Sequence, residues 1–159
     1  MNIGLIVAAG RGYRVGGPLP KQYLPLKGAP ILRHTIQALT RHPEIDAVQV
    51  LIHPDDQALY DDATDGLERL LAVRFGGKER QDSVRLGLEA IAVLKPDNVL
   101  IHDAVRPFIA PDTISAVLEV LGRGASAIVG VPLADTLKRV QDGVVAGTGG
   151  RARGPGGGG

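Results

Sequence analysis

Cysteine is absent from this chain, which removes disulfides, thiolate nucleophiles and cysteine-based zinc sites. That absence is compatible with a reducing cytoplasm. Charge of one sign is not in excess either: 18 Lys and Arg face 17 Asp and Glu, for a formal net charge of +1. No broad basic face for nucleic acid is implied, so any anion must be held by a local cluster of cations and backbone N–H groups. No apolar stretch approaches the about 20 residues that a membrane helix needs. The chain enters a strand-like run at residues 3–9 without a charged leader or cleavage site. These absences together predict a soluble, cytoplasmic protein with no membrane partner.

What is present reads as one α/β domain, since 159 residues with 44% apolar content suffice for one such core and are short for two. β-branched apolar runs at residues 3–9, 47–52, 72–75, 99–103 and 127–131 suit strands covered on both faces. Between them, residues 31–40, 55–60, 82–94 and 112–121 read as helices. Gln81 or Asp82 can cap the third, and Pro111-Asp112 opens the fourth. Repeated β–α–β units predict a Rossmann-like, mostly parallel twisted sheet with helices on both faces. After Pro132 the pattern changes. Residues 136–140 and 144–148, joined by Gln141-Asp142-Gly143, read as a β-hairpin arm. A lone hairpin is marginal in water, so a partner subunit is a natural surface for it. Residues 149–159 belong to no packed element, whether as a flexible tail or as a truncated or poorly identified stretch.

Four clusters carry chemistry. The first runs from Val7-Ala8-Ala9-Gly10-Arg11-Gly12-Tyr13-Arg14 to Pro20-Lys21-Gln22-Tyr23-Leu24, immediately after the first strand, where an α/β sheet holds its ligands. Small residues let backbone N–H groups approach phosphate oxygens, and Arg14 with Lys21 supplies cations for charge developing in phosphoryl transfer. It is not a dinucleotide fingerprint: the third glycine position holds Val15, and no acidic partner stands about 20 residues on. Nor is it a P-loop, which needs Gly-Lys-Ser/Thr where this chain has Gly17-Pro18. The second cluster, Gly76-Gly77-Lys78-Glu79-Arg80-Gln81-Asp82-Ser83-Val84, opens a helix. Free N–H groups and the Ser83 hydroxyl suit a base edge, ribose or phosphate, although an ordinary capped helix start has the same composition.

The third, His102-Asp103-Ala104-Val105-Arg106-Pro107, closes a buried strand. Asp103 there can approach a magnesium ion or sugar hydroxyls. Arg106 either holds a phosphate or pairs with Asp103. The histidines at 34, 42, 53 and 102 lack metal-ligand spacing and read as structural. The fourth, Asp135-Thr136-Leu137-Lys138-Arg139, offers a hydroxyl and two cations to a phosphorylated substrate, or is a solvated strand edge.

In this order, these motifs closely resemble the 2-C-methyl-D-erythritol 4-phosphate cytidylyltransferases of the non-mevalonate isoprenoid pathway, over about residues 2–148. The resemblance implies a nucleotidyltransferase domain at 1–148, with residues 132–148 as an arm exchanged in a homodimer. It implies CMP transfer from CTP to the sugar-alcohol phosphate, with Mg2+ or another divalent cation and release of pyrophosphate. By position, Arg14 and Lys21 resemble the catalytic cations at the α-phosphate; Ala8, Ala9, Gly10 and Gly12 resemble the CTP loop; and Gly77 and Ser83 lie near cytosine or ribose. Asp103 and Ala104 resemble residues lining the nucleotide side, with Asp103 the candidate metal ligand. Arg106, Thr136 and, across the dimer, Arg151 resemble acceptor-binding groups. Some bacterial members are fused to 2-C-methyl-D-erythritol 2,4-cyclodiphosphate synthase, and the sequence is compatible with the N-terminal domain of such a fusion. Two departures stand: Val7 replaces a frequent proline, and residues 149–159 replace a Leu-Trp…Thr-Pro-Gln segment, further helices and a substrate-binding lysine. A ribitol-5-phosphate cytidylyltransferase, and a truncated, catalytically silent nucleotide-binding module, are the alternatives.

Overall fold

The computed structural model describes residues 1–10, 19–131 and 138–148. The chain divides into two units, Met1–Ser126 and Ala127–Gly159. In the first, strands β1 (Asn2–Ala8), β4 (Ala47–Ile52), β5 (Arg74–Phe75) and β6 (Asn98–Asp103) form a four-stranded sheet in the order β5-β4-β1-β6. All of its pairings are parallel. A small antiparallel pair, β2 (Pro25–Leu26) and β3 (Ala29–Pro30), precedes helix α1 (Ile31–Thr40). Helices α2 (Gln57–Thr64), α3 (Arg80–Ile91) and α4 (Pro111–Gly122) complete the unit.

The element types follow from local chemistry. All six residues of β4, AVQVLI, are buried, as a central parallel strand requires. Its one polar side chain, Gln49, is satisfied by donating Nε2 to the carbonyls of Val50 (3.1 Å) and Ala72 (3.0 Å). In α1 the buried residues Leu32, Thr35, Ile36 and Leu39 recur at helical spacing. Leu32, Ile36 and Leu39 join Ile6, Val50, Leu100, Ile114 and Leu118 in one apolar core. Each buried Ile or Leu contributes about 1.5–3 kcal/mol. Successive strand side chains alternate between faces. The Cβ direction at Gly4 of β1 meets Leu39 of α1, whereas Leu5 lies against Gly87 of α3. Helix α3 therefore covers the opposite face from α1, and the doubly covered α/β sheet is as expected.

Three boundaries move. The strand expected at 72–75 shrinks to Arg74–Phe75; the Ala72 carbonyl accepts from the Gln49 amide, and Leu70 forms a separate parallel bridge with Val48. A 3-10 turn at Pro54–Asp56, capped by His53, precedes α2. Helix α3 begins at Arg80, with Glu79 as N-cap and Asp82 completing a capping box, in place of a start capped by Gln81 or Asp82. His42 is buried and structural: Nδ1 accepts the Glu44 N–H at 3.3 Å and Nε2 meets Ser115 Oγ at 3.1 Å, while that hydroxyl donates to Glu44 Oε2 at 3.1 Å. The accepting Nδ1 places the proton on Nε2.

The strand expected at residues 127–131 is a correction. No strand forms there, and Ile128 and Val131 are 97% and 90% exposed. A β-branched run becomes a strand only beside a neighbour that satisfies its N–H and C=O groups, and among the described residues none pairs with it. In the second unit, β7 (Lys138–Gln141) and β8 (Val144–Thr148) pair antiparallel. Asp142 and Gly143 both adopt positive φ, 50° and 78°, the backbone that a two-residue Asp-Gly hairpin turn demands. Residues 136 and 137 of the expected first strand lie outside the described residues. Among the described residues no helix is long and apolar enough to cross a membrane.

Candidate active site

Strand order reverses between β1 and β6: from β1 the chain moves first to β4 and β5, then returns to the other side. A crevice opens beyond the carboxyl ends of strands at such a reversal. Here a cleft of about 380 Å³ sits there, lined by the residues that end β1, open α3 and end β6.

The first wall is Ala8, Ala9 and Gly10 with Lys21. Pro20, at φ −60°, leads into a 3-10 turn over Lys21–Tyr23, closed by Tyr23 N–H to the Pro20 carbonyl at 2.9 Å. The turn buries Gln22 and Tyr23 and leaves Lys21 exposed toward the cleft. Burial, reinforced by the negative charge of Asp56, pushes the Tyr23 phenol well above its ordinary range, so it remains protonated. Gln22 donates Nε2 to the carbonyls of Ala8 at 2.7 Å and Gly10 at 3.2 Å.

The second wall is the turn into α3. A Cβ at Gly76 would lie 2.4 Å from the Ala9 Cβ, and one at Gly77 2.3 Å from the Asp82 Cβ. Both glycines are therefore demanded by close approach. Ser83 is buried, and its Oγ accepts the Gly77 N–H at 3.1 Å and donates to the Glu79 carbonyl at 3.3 Å. The hydroxyl thus holds the turn, and Ser83 acts on the cleft through Gly77. Lys78, Glu79 and Arg80 add charge to this wall.

The third wall is the end of β6. Ala104 is anchored through its N–H to the Val7 carbonyl (3.3 Å) and its carbonyl to the Thr35 hydroxyl (2.7 Å). Asp103 Oδ1 accepts from Arg80 Nε (3.1 Å) and Nη2 (3.0 Å), and Oδ2 accepts from Arg106 Nε at 3.0 Å. Partial burial pushes the Asp103 carboxyl upward, but the hydrogen bonds and charges of Arg80 and Arg106 outweigh it and hold the group below the usual carboxylate range. Arg106 pairs here with Asp103, one of its two expected roles. His102 Nε2 meets the Arg106 carbonyl at 2.9 Å, tying down the same loop.

The structure therefore gathers Ala8, Ala9, Gly10, Lys21, Gly77, Ser83, Asp103 and Ala104 around one cleft, with Arg106 paired at its rim. Gly12, Arg14, Thr136 and Arg151 lie outside the described residues. Sequence reasoning gave no role to Gln22 or Arg80. Arg80 carried a signal: a cation in the first turn of a helix opposes the macrodipole, so it needs a compensating partner, here Asp103. Gln22 carried none, because a glutamine beside an exposed lysine does not announce its burial.

With this geometry in place, comparison with known proteins decides the family. Residues 3–154 match the model of IspD, 2-C-methyl-D-erythritol 4-phosphate cytidylyltransferase. The chain belongs to this family. It is 57% identical over 148 residues to the bifunctional enzyme IspD/IspF of Paramagnetospirillum magneticum, an alignment covering 93% of this chain and 38% of that protein. The corresponding protein of Rhodospirillum rubrum is 51% identical, again with 38% of its length covered. The chain thus spans well under half the length of these curated relatives. A crystal structure of 4-diphosphocytidyl-2C-methyl-D-erythritol synthase superposes with a TM-score of 0.78 at 31% identity, covering 95% of this chain and 68% of that one.

Enzymes of the IspD family use a divalent cation. The described residues do not build a site for one. No group of three His, Cys, Asp or Glu side chains converges among them, and both oxygens of Asp103 are engaged by guanidinium groups. A cation at Asp103 would share a carboxylate already bonded to two arginines.

Proposed function

We propose that this chain supplies the CTP-binding and phosphoryl-transfer half of a 2-C-methyl-D-erythritol 4-phosphate cytidylyltransferase, making 4-diphosphocytidyl-2-C-methyl-D-erythritol and pyrophosphate. The observation that carries the reading is the convergence of the Ala8–Gly10, Gly77–Ser83 and Asp103–Ala104 walls with Lys21 at the strand-order reversal.

In this reaction a phosphate oxygen of the acceptor attacks the α-phosphorus of CTP in line. A new P–O bond forms as the bond to the bridging oxygen breaks, and pyrophosphate leaves with that electron pair. The acceptor monoester is largely ionised near neutral pH, so neither a protein nucleophile nor a strong general base is required. Catalysis reduces to positioning and charge neutralisation. Lys21, at the cleft, faces the phosphates, and Arg14 is the second cation of the reading. The backbone of Ala8, Ala9 and Gly10 approaches the triphosphate, while Gly77 and, through it, Ser83 shape the nucleoside side. Asp103, held charged by its arginines, offers an acceptor to the ribose or sugar hydroxyls. Arg106 and Thr136, with Arg151 of a second copy, complete the acceptor side. The wider reading includes a homodimer joined through the arm at 132–148 and work in the cytoplasm. Mg2+ or another divalent cation belongs to this reading and would neutralise part of the triphosphate charge.

The test is pyrophosphate release with CTP or ATP and either 2-C-methyl-D-erythritol 4-phosphate or ribitol 5-phosphate. The expected result is release with CTP and the first acceptor, and Lys21→Ala lowers it about 10²–10³-fold with an unchanged melting profile. CTP binding without release from any pair favours a silent nucleotide-binding module. Near-normal turnover in Lys21→Ala removes Lys21 from the mechanism.

A further inference from the structure

Gln22 is 3% exposed and lies between the exposed Lys21 and the buried Tyr23. Its side chain does not serve its own turn. It crosses to the end of β1, where its amide nitrogen meets the carbonyls of Ala8 and Gly10, residues 14 and 12 positions earlier. A carboxamide nitrogen has two N–H donors, and two carbonyl oxygens take both. We propose that Gln22 is the positioning residue that orients the backbone of the Ala8–Gly10 wall and ties it to Lys21, an inference that rests on the nucleotide-binding reading of this cleft.

In a trans peptide unit the C=O of one residue and the N–H of the next point in opposite directions, and among the described residues every peptide bond is trans. Holding the Ala8 carbonyl against Gln22 therefore directs the Ala9 N–H away from it. One side chain thus turns acceptor oxygens away from an approaching anion. The same residue is covalently next to Lys21, so the separation between the cation and the backbone wall is set by two hydrogen bonds. A glutamate of the same shape has no donor when ionised and sets negative charge against two carbonyl oxygens. A methionine fills the space and donates nothing.

The experiment measures CTP affinity by calorimetry and pyrophosphate release at saturating CTP and 2-C-methyl-D-erythritol 4-phosphate for the parent chain, Gln22→Met and Gln22→Glu. Thermal melting and hydrogen exchange at the Ala9 amide accompany both. For Gln22→Met, CTP affinity is expected to fall about tenfold and turnover about 100-fold, the scale of a small misplacement of reacting groups, with faster exchange at Ala9. Gln22→Glu is expected to be worse, and if it fails to fold Gln22→Met decides. A lower melting temperature alone, with CTP affinity and turnover per folded molecule at parent levels, overturns the inference and leaves a merely structural glutamine. If the parent binds CTP without releasing pyrophosphate, the transfer reading falls while CTP affinity still tests Gln22. If the parent binds no CTP, both fall together.

Discussion

The strands that carry the cleft and the segment from Ala127 onward draw on similar β-branched residues and end in opposite states. Around the cleft, polar groups are interlocked: Ser83 with Gly77, Thr35 with Ala104, Gln22 with Ala8 and Gly10. In the second unit Ile128, Val129, Val131, Val140, Val144 and Val145 are all exposed. Apolar, β-branched content is thus not what fixes a segment. The cleft is fixed because each wall continues a strand of one sheet, where the ladder already satisfies the backbone. The Ala127–Val131 run has no such neighbour among the described residues.

The sharpest way to break this contrast is a methyl group on each side. Gly77→Ala sets a Cβ 2.3 Å from that of Asp82, whereas at Gly130 nothing lies within 4 Å. Relieving the first collision must shift the capping box or the Gly77–Ser83 bond. The expected loss is about 1–3 kcal/mol of stability and about 100-fold in CTP affinity, read by melting and calorimetry. Gly130→Ala is expected to change neither. Equal behaviour of the two variants would mean that the turn into α3 is no more constrained than the exposed run.

A smaller effect is expected at the rim. The folded-state pKa of Asp103 is depressed, so its stabilising contribution is present above the ordinary carboxylate value. That contribution is lost as pH falls through the depressed value. Arg80→Met removes one of the two partners, so the loss begins at higher pH. Because Arg80 is largely exposed, the stability change at neutral pH is under about 1 kcal/mol. Melting temperature against pH for the two proteins checks this. Superimposable acid limbs would show that Arg80 does not hold Asp103 in solution.

Much of this was legible in the sequence, unevenly and for physical reasons. The parallel sheet showed through the apolar runs that became β1 and β4, because a doubly covered strand needs continuous burial; β6 showed through its apolar run although only Leu100 of it is buried. The cleft residues showed because small residues and cations cluster directly after strands. Residues 127–131 failed because a strand is a relation between two segments, and composition reports one. The capping of α3 by Glu79 was displaced by two or three residues because Glu79, Gln81 and Asp82 all offer acceptors, and the turn set by Gly76 and Gly77 chooses among them. Gln22 stayed hidden because its partners are backbone carbonyls, which every sequence has.

The smallest effect tests whether the hairpin stands apart energetically. Gly143 adopts φ +78°, and an alanine there meets the left-handed penalty of about 1–2 kcal/mol. A two-stranded hairpin is marginal by itself, so that penalty is enough to remove it. Gly143→Ala is expected to abolish hydrogen-exchange protection of the β7 and β8 amides while leaving CTP affinity and the unfolding midpoint of the Met1–Ser126 unit where they were. A midpoint that falls with the hairpin would mean that the two units unfold as one. The contrast between an interlocked cleft and a separately marginal segment would then be lost, because the exposed valines of β7 and β8 would be contributing to the stability of the sheet.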